Sequence, residues 1–171
     1  NMLFVILTAL SLVLIWFIGK ALKRNLLPEM ILGLIIGFSW ELTTAPLWNY
    51  NISNLTLFYI EGQEISLDVI LLWGSTLGAL SLIIEFMQKM LFKKYNKLTF
   101  LLSSIISFIV VGWAIEFLGT TYGFWTYSWD FNLHILGVPV IVLYGWAFAS
   151  VLYMSTIKIY ANEIRKLLGF R

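Results

Sequence analysis

Five long apolar runs separated by short polar segments dominate the chain. They cover Met2–Gly19, Leu26–Leu47, Leu67–Met90, Leu98–Leu118 and Ile135–Tyr160. Roughly 20 mostly apolar residues cross the hydrocarbon of a bilayer as a helix, so each run predicts a spanning helix. The first lacks a basic start and is followed by basic residues, which predicts a retained helix rather than a cleaved signal peptide. After the second run, Leu55–Ile60 and Glu64–Val69 flank Glu61, Gly62 and Gln63, a pattern that fits either a short hairpin or a re-entrant segment. The expected fold class is an all-α polytopic membrane bundle of about five transmembrane helices, forming a single integral membrane domain.

Small residues recur along these runs at helical spacing. Gly33, Gly37 and Glu41 share one face of the second, and Gly74, Gly78, Ser81 and Glu85 share one face of the third. Gly112 and Glu116 do the same on the fourth. Such faces let helix backbones approach closely in lipid. Glu85 lies four residues before Lys89, a spacing that predicts an ion pair on the helix surface.

Two stretches also resemble each other. Gly37–Asn51 reads GFSWELTTAPLWNYN, and Gly112–Ser128 reads GWAIEFLGTTYGFWTYS. Each has a glutamate near the end of a run, followed by Trp-x-Tyr: Glu41 with Trp48 and Tyr50, Glu116 with Trp125 and Tyr127. The next run brings Trp73 in one copy and Trp146 in the other. This predicts a duplicated helical hairpin, residues 26–90 and 98–160, preceded by an extra helix at 2–19. Repeat interfaces often hold the binding site in such membrane proteins.

Composition narrows the chemistry. Of 171 residues 60% are hydrophobic and 12% are charged, against about 45–50% and about 25% in soluble domains. That excludes a soluble globule, a disordered chain and a nucleic-acid module. With no cysteine and one histidine, thiolate and histidine-rich metal sites are excluded, and no metal or cofactor is expected. The eleven basic residues all fall on one side of a five-span arrangement: Lys20, Lys23 and Arg24, then Lys89, Lys93, Lys94 and Lys97, then Lys158, Arg165, Lys166 and Arg171. Glu61, Glu64, Asp68 and Asp130 lie on the other. The positive-inside rule then puts the C-terminus in the cytoplasm and the N-terminus outside. Asn51–Ser53 and Asn54–Thr56 are glycosylation sequons on the outer loop, relevant only in a eukaryotic secretory pathway.

Glu41 and Glu116 have no basic residue expected beside them. An intramembrane acid is a functional candidate by default, and burial without a cation favours the neutral acid, so at least one of the two is expected to carry a proton near neutral pH. Around them the repeats gather Trp40, Trp48, Tyr50, Asp68, Trp73, Trp113, Trp125, Tyr127, Trp129, Asp130, His134 and Trp146. Two readings of the aromatics stand open: an interfacial belt or the wall of a pocket. His134 is expected chiefly to cap or anchor the start of the last run. A protonated carboxyl can deliver a proton to a carbon–carbon double bond, aromatic faces can hold the resulting cation, and an ionised carboxylate can stabilise it or take a proton back. The matching substrate is an isoprenoid dissolved in the bilayer. Hydrolase chemistry lacks its motifs.

The stretch Glu116–Trp146 resembles membrane proteins of carotenoid biosynthesis, the small heterodimeric-type lycopene cyclases and the bacterioruberin-pathway hydratases. The hydratase pattern falls on Glu116, Gly119, Gly123, Tyr127, Gly137, Val138, Pro139 and Trp146. The cyclase Phe-Trp-x-Tyr falls on Phe124, Trp125 and Tyr127. The cyclases continue with Pro-x-Glu-Glu, whereas here Pro139 is followed by Val140, Ile141 and Val142, and Asp68 takes a comparable place in the first repeat. The resemblance implies redox-neutral cyclisation, hydration or isomerisation of a polyene, and a short chain acting as one part of a homo- or hetero-oligomer. Two other readings of the same residues are a non-enzymatic binder or transporter of a small lipophilic or aromatic solute, and a structural subunit of a larger complex.

Overall fold

A computed structural model describes residues 2–50, 56–60, 63–92 and 96–167. Outside the described residues lie most of the two sequons (Asn51, Ser53 and Asn54), Glu61, Gly62, Lys93, Lys94 and Arg171. The described chain forms five α-helices: α1 (Met2–Ala21), α2 (Leu27–Thr44), α3 (Leu67–Leu91), α4 (Lys97–Thr121) and α5 (Val140–Leu167). Between them run six short strands: β1 (Trp48–Tyr50), β2 (Thr56–Ile60), β3 (Gln63–Ser66), β4 (Trp125–Tyr127), β5 (His134–Ile135) and β6 (Val138–Pro139). The architecture is a helical bundle, with the strands confined to three two-stranded pairs.

Four helices, α1, α3, α4 and α5, are long and apolar enough to cross a membrane, as expected of a membrane protein. The sequence predicts five such spans. The one that falls short is α2, whose 18 residues include Glu29 and Glu41. It also stops earlier than the apolar run suggests. Pro46 has no N–H to continue the α-helical ladder, so the α-helix ends at Thr44 and the chain makes a 3-10 turn over Ala45–Leu47 before β1.

The chain divides into two compact units. The first comprises residues 1–79 and 123–130. Within it α1, α2 and the first half of α3 pack on glycines. A side chain at Gly74 would strike Leu34 and Leu12, and one at Gly78 would strike Ile15 and Met30. At Gly33 an added Cβ would lie 2.5 Å from the Trp73 carbonyl oxygen and 2.9 Å from the Gly74 Cα, so α2 and α3 meet backbone to backbone. Ser11 donates to Ser75 at 2.9 Å, a hydrogen bond that ties α1 to α3. Ile65 and Ile70, with Leu34 against them, form a small apolar core. Of the two readings of the outer loop, the hairpin is the one adopted: β2 and β3 pair antiparallel from Ile60↔Gln63 to Thr56↔Ser66.

The second unit comprises residues 80–122 and 131–171. Asn96 caps α4 in a reciprocal box: its side chain accepts from the Thr99 N–H at 2.9 Å, and the Thr99 hydroxyl accepts from the Asn96 N–H at 3.1 Å. Gln88 on α3 donates to the same hydroxyl at 3.3 Å, fastening the α3–α4 connection. Asn96→Ala is expected to lower stability by about 1 kcal/mol, read as a lower midpoint of thermal unfolding in detergent.

The last helix begins later than the sequence predicts, at Val140 instead of Ile135. Leu136 and Gly137 have φ of +49° and +83°, the two left-handed positions of a type I′ turn, and β5 and β6 pair on either side of it (His134↔Pro139, Ile135↔Val138). The helix starts once Pro139 is past, and the Val140 N–H donates to the Leu133 carbonyl at 2.9 Å. Glycine suits the second turn position, but leucine in the left-handed region costs about 1–2 kcal/mol.

Candidate functional site

In the first unit the two Trp-x-Tyr motifs of the repeat pair with each other. β1 and β4 run antiparallel in the register Trp48↔Tyr127, Asn49↔Thr126, Tyr50↔Trp125. Residues directly opposite in such a pair project to the same face. The four aromatic side chains therefore share one face, and Asn49 and Thr126 share the other. Burial agrees: both tryptophans are buried, both tyrosines half-buried, and Asn49 and Thr126 exposed. Each tryptophan meets the tyrosine of the other copy, Trp48 with Tyr127 at 5.4 Å between ring centroids and Tyr50 with Trp125 at 6.5 Å. The Leu47 carbonyl accepts from the Ser128 N–H at 3.0 Å, extending the pairing by one step.

Glu41 lies in the last turn of α2 and is only 1% exposed. The Tyr50 hydroxyl donates to its Oε2 at 2.8 Å. The position follows from the local sequence. Helix α2 presents Glu41 one turn above Gly37, on the buried face, and the Pro46 turn folds β1 back so that Tyr50 reaches the carboxyl. Trp48 Nε1 donates to the Thr44 hydroxyl at 3.1 Å, holding that turn against the end of α2. Phe124 extends the aromatic surface, with Trp125 at 6.5 Å on one side and Phe4 of α1 at 5.5 Å on the other. Trp40 is half-buried and tilts against Trp73 at 6.0 Å. Trp73 in turn covers Gly37, where an added Cβ would sit 2.4 Å from the Trp73 Cβ. Asp68 is buried in the first turn of α3 and accepts from the Ser66 hydroxyl.

The second unit repeats part of this arrangement. Glu116 is 6% exposed and lies four residues after Gly112, as Glu41 lies four after Gly37. Trp146 of α5 covers Gly112 as Trp73 covers Gly37, with an added Cβ only 2.2 Å from the indole. Here the covering tryptophan itself serves the acid: Trp146 Nε1 donates to Glu116 Oε1 at 3.2 Å. Trp113 stacks on Phe117 at 5.3 Å, and its Nε1 donates to the Ile135 carbonyl at 3.2 Å.

Of the residues singled out in the sequence, the first unit gathers Glu41, Trp48, Tyr50, Trp125 and Tyr127 in one contact network and Trp40 with Trp73 beside Gly37. The second joins Glu116 to Trp146. The other candidates lie outside these contacts. Asp130 and Trp129 are exposed. His134 is exposed in β5 and does not cap α5, which begins six residues later because the turn and Pro139 intervene. Asp68, buried at the start of α3, accepts from the Ser66 hydroxyl two residues before it.

Sequence reasoning also passed over several residues. Glu29 is buried in the first turn of α2, where the positive end of the helix dipole favours an acid; the Pro28-Glu29 pair at a helix start is its signal. Phe4 had no signal beyond being aromatic. Ser103, Ser104 and Ser107 are buried on α4, and among the described residues their hydroxyls have no hydrogen-bond partner. No group of three His, Cys, Asp or Glu side chains comes together as a metal site among the described residues. No family model matches the chain, and no curated protein or solved structure shows significant similarity to it.

Proposed function

We propose that this protein is a membrane-embedded enzyme for redox-neutral, proton-initiated cyclisation, hydration or isomerisation of an isoprenoid polyene of the carotenoid type, with Glu41 and Glu116 as its acid–base groups. The observation that carries the reading is the environment of Glu41: a buried carboxyl, hydrogen-bonded by Tyr50, beside a face of four aromatic rings drawn equally from the two repeats.

The chemistry balances without a cofactor. The carboxyl proton adds to one carbon of a double bond, the π pair forms the new C–H bond, and the other carbon becomes a cation. The Tyr50 hydroxyl stabilises the carboxylate left behind. Aromatic faces attract the cation. An internal double bond then attacks it and the resulting cation loses a proton (cyclisation), water adds and loses a proton (hydration), or a different proton leaves (isomerisation). In each case a carboxylate takes up the proton released. A substrate already dissolved in lipid suits a chain with four membrane-length helices. Counting α2 as a fifth span, we place the C-terminus in the cytoplasm and the N-terminus outside, because every Lys and Arg then falls on one side.

Expression in a lycopene-accumulating host tests this. A new, more polar or cyclised pigment is expected; unchanged pigments with lycopene and other acyclic polyenes would overturn the reading.

One observation favours a second reading. Both glutamates accept hydrogen bonds from the protein's own aromatic donors, as fixed acceptors in the wall of a binding protein for lipophilic solutes would. A small aromatic or isoprenoid compound that co-purifies chemically unchanged distinguishes the two.

A further inference from the structure

The β5–β6 hairpin presents an apolar edge. Leu136 at its tip is 71% exposed and Leu133 is 66% exposed, with Ile135 also exposed between them. Val138 on the opposite strand is fully buried and fastens the hairpin to the protein. The hairpin does not stand clear of the helices. The Ile135 carbonyl accepts from Trp113 Nε1, and Trp113 precedes the end of α4 by eight residues, about 12 Å of helix. The hairpin is therefore folded back along the flank of α4.

Its surroundings are apolar as well. Leu118 on α4, and Ile141, Tyr144 and Phe148 on α5, are exposed on helices of membrane length. No Asp, Glu, Lys or Arg occurs from Phe131 to Ile157, so the only titratable side chain on the hairpin is His134. The turn adds a further argument. Its first central position has φ of +49°, where asparagine or glycine is the ordinary choice. Here it carries a leucine, which is unfavourable for the backbone and unfavourable in water.

We propose that this hairpin is a membrane-interface anchor whose Leu133, Ile135 and Leu136 side chains enter the headgroup–acyl boundary of the bilayer. The occupant is lipid, not a protein, because the exposed edge continues the apolar flank of α4 and α5 and carries no charge with which to select a partner. Two-stranded backbone with open edges is excluded from the hydrocarbon centre, so the hairpin belongs at the boundary.

Because the chain has no cysteine, Leu136→Cys and Leu133→Cys each give a unique thiol for a nitroxide label. In phosphatidylcholine–phosphatidylglycerol vesicles, oxygen collisions are expected to exceed those of a neutral nickel chelate several-fold at both positions. Stronger collisions with the chelate at both would place the hairpin in water and overturn the proposal. Weak collisions with both reagents would mean that protein covers it, with the same consequence. Leu136→Asn, which suits the turn, should make a label at position 133 several-fold more accessible to the chelate; an unchanged ratio would remove Leu136 from the anchor.

Discussion

Replacing Glu41 and Glu116 together by glutamine is expected to abolish pigment conversion in the lycopene-accumulating host, with the protein still present in the membrane. Glutamine keeps the shape of the acid, and its carbonyl oxygen still accepts from Tyr50 at one site and from Trp146 at the other. What it loses is the transferable proton. A positioned acid or base contributes about 10²–10⁴-fold, so whichever glutamate initiates the reaction should lose at least about 100-fold when changed alone. The two single variants therefore identify the acid. Tyr50→Phe keeps the carboxyl and removes only the donor to Oε2. A hydrogen bond to a charged group contributes about 1.5–3 kcal/mol, so this variant should retain activity reduced by about 10- to 100-fold. Full activity in the double glutamine variant would remove both glutamates from catalysis. Full activity in Tyr50→Phe would show that its hydroxyl does not matter to the proton transfer.

Gly33→Leu is expected to be among the most disruptive single substitutions in the helices. Its new Cβ would meet the Trp73 carbonyl and the Gly74 Cα, and backbone atoms cannot rotate aside as a side chain can. α2 and α3 would have to separate along the face that also holds Gly37 beneath Trp73. Overpacking typically costs about 1–3 kcal/mol; with a rigid opponent the upper end applies, about 3 kcal/mol. Gly33→Ala should show a smaller loss in the same direction, and Val110→Leu, on an exposed position of α4, should show almost none. Thermal or denaturant unfolding in detergent ranks the three. Equal stability of Gly33→Ala and wild type would contradict the backbone contact. The glutamine and glycine experiments separate cleanly, since one alters chemistry in an intact bundle and the other alters the bundle.

Long apolar runs made the helices legible in the sequence, because 20 or so such residues have few alternatives to a helix. Their ends were less so. The run from Ile135 to Val142 is uninterrupted in hydropathy, yet Gly137 and Pro139 divide it into a hairpin and a helix start. In the same way Pro46 ends α2 before its apolar run does. Strands of two or three residues have no period to read, and β1 could not be recognised from Trp-Asn-Tyr alone. The duplication supplied the missing information: two similar motifs, each following a glutamate, turned out to be each other's partners. The glycine faces were legible because close helix approach admits few residue types. The hydrogen bonds that engage Glu41 and Glu116 were not, because Tyr50 and Trp146 reach them through the folding of a turn and the packing of a second helix. Asp130 and His134, which the repeats bring to the outer side in sequence, are exposed in the fold, because the chain changes direction between β4 and β5.

The β1–β4 pairing has a consequence for biosynthesis. The strand that completes the first unit is encoded after α4, beyond a whole further helix of the chain. While α1, α2 and α3 emerge from the ribosome, the edge of β1 has no partner, and Glu41 and Tyr50 wait beside an unfinished wall. At about 5–20 residues per second the delay is on the order of ten seconds. During that interval an open strand edge invites pairing with another chain. The first half of this protein therefore depends on its second half for completion, and its assembly in the membrane cannot finish from the N-terminus alone.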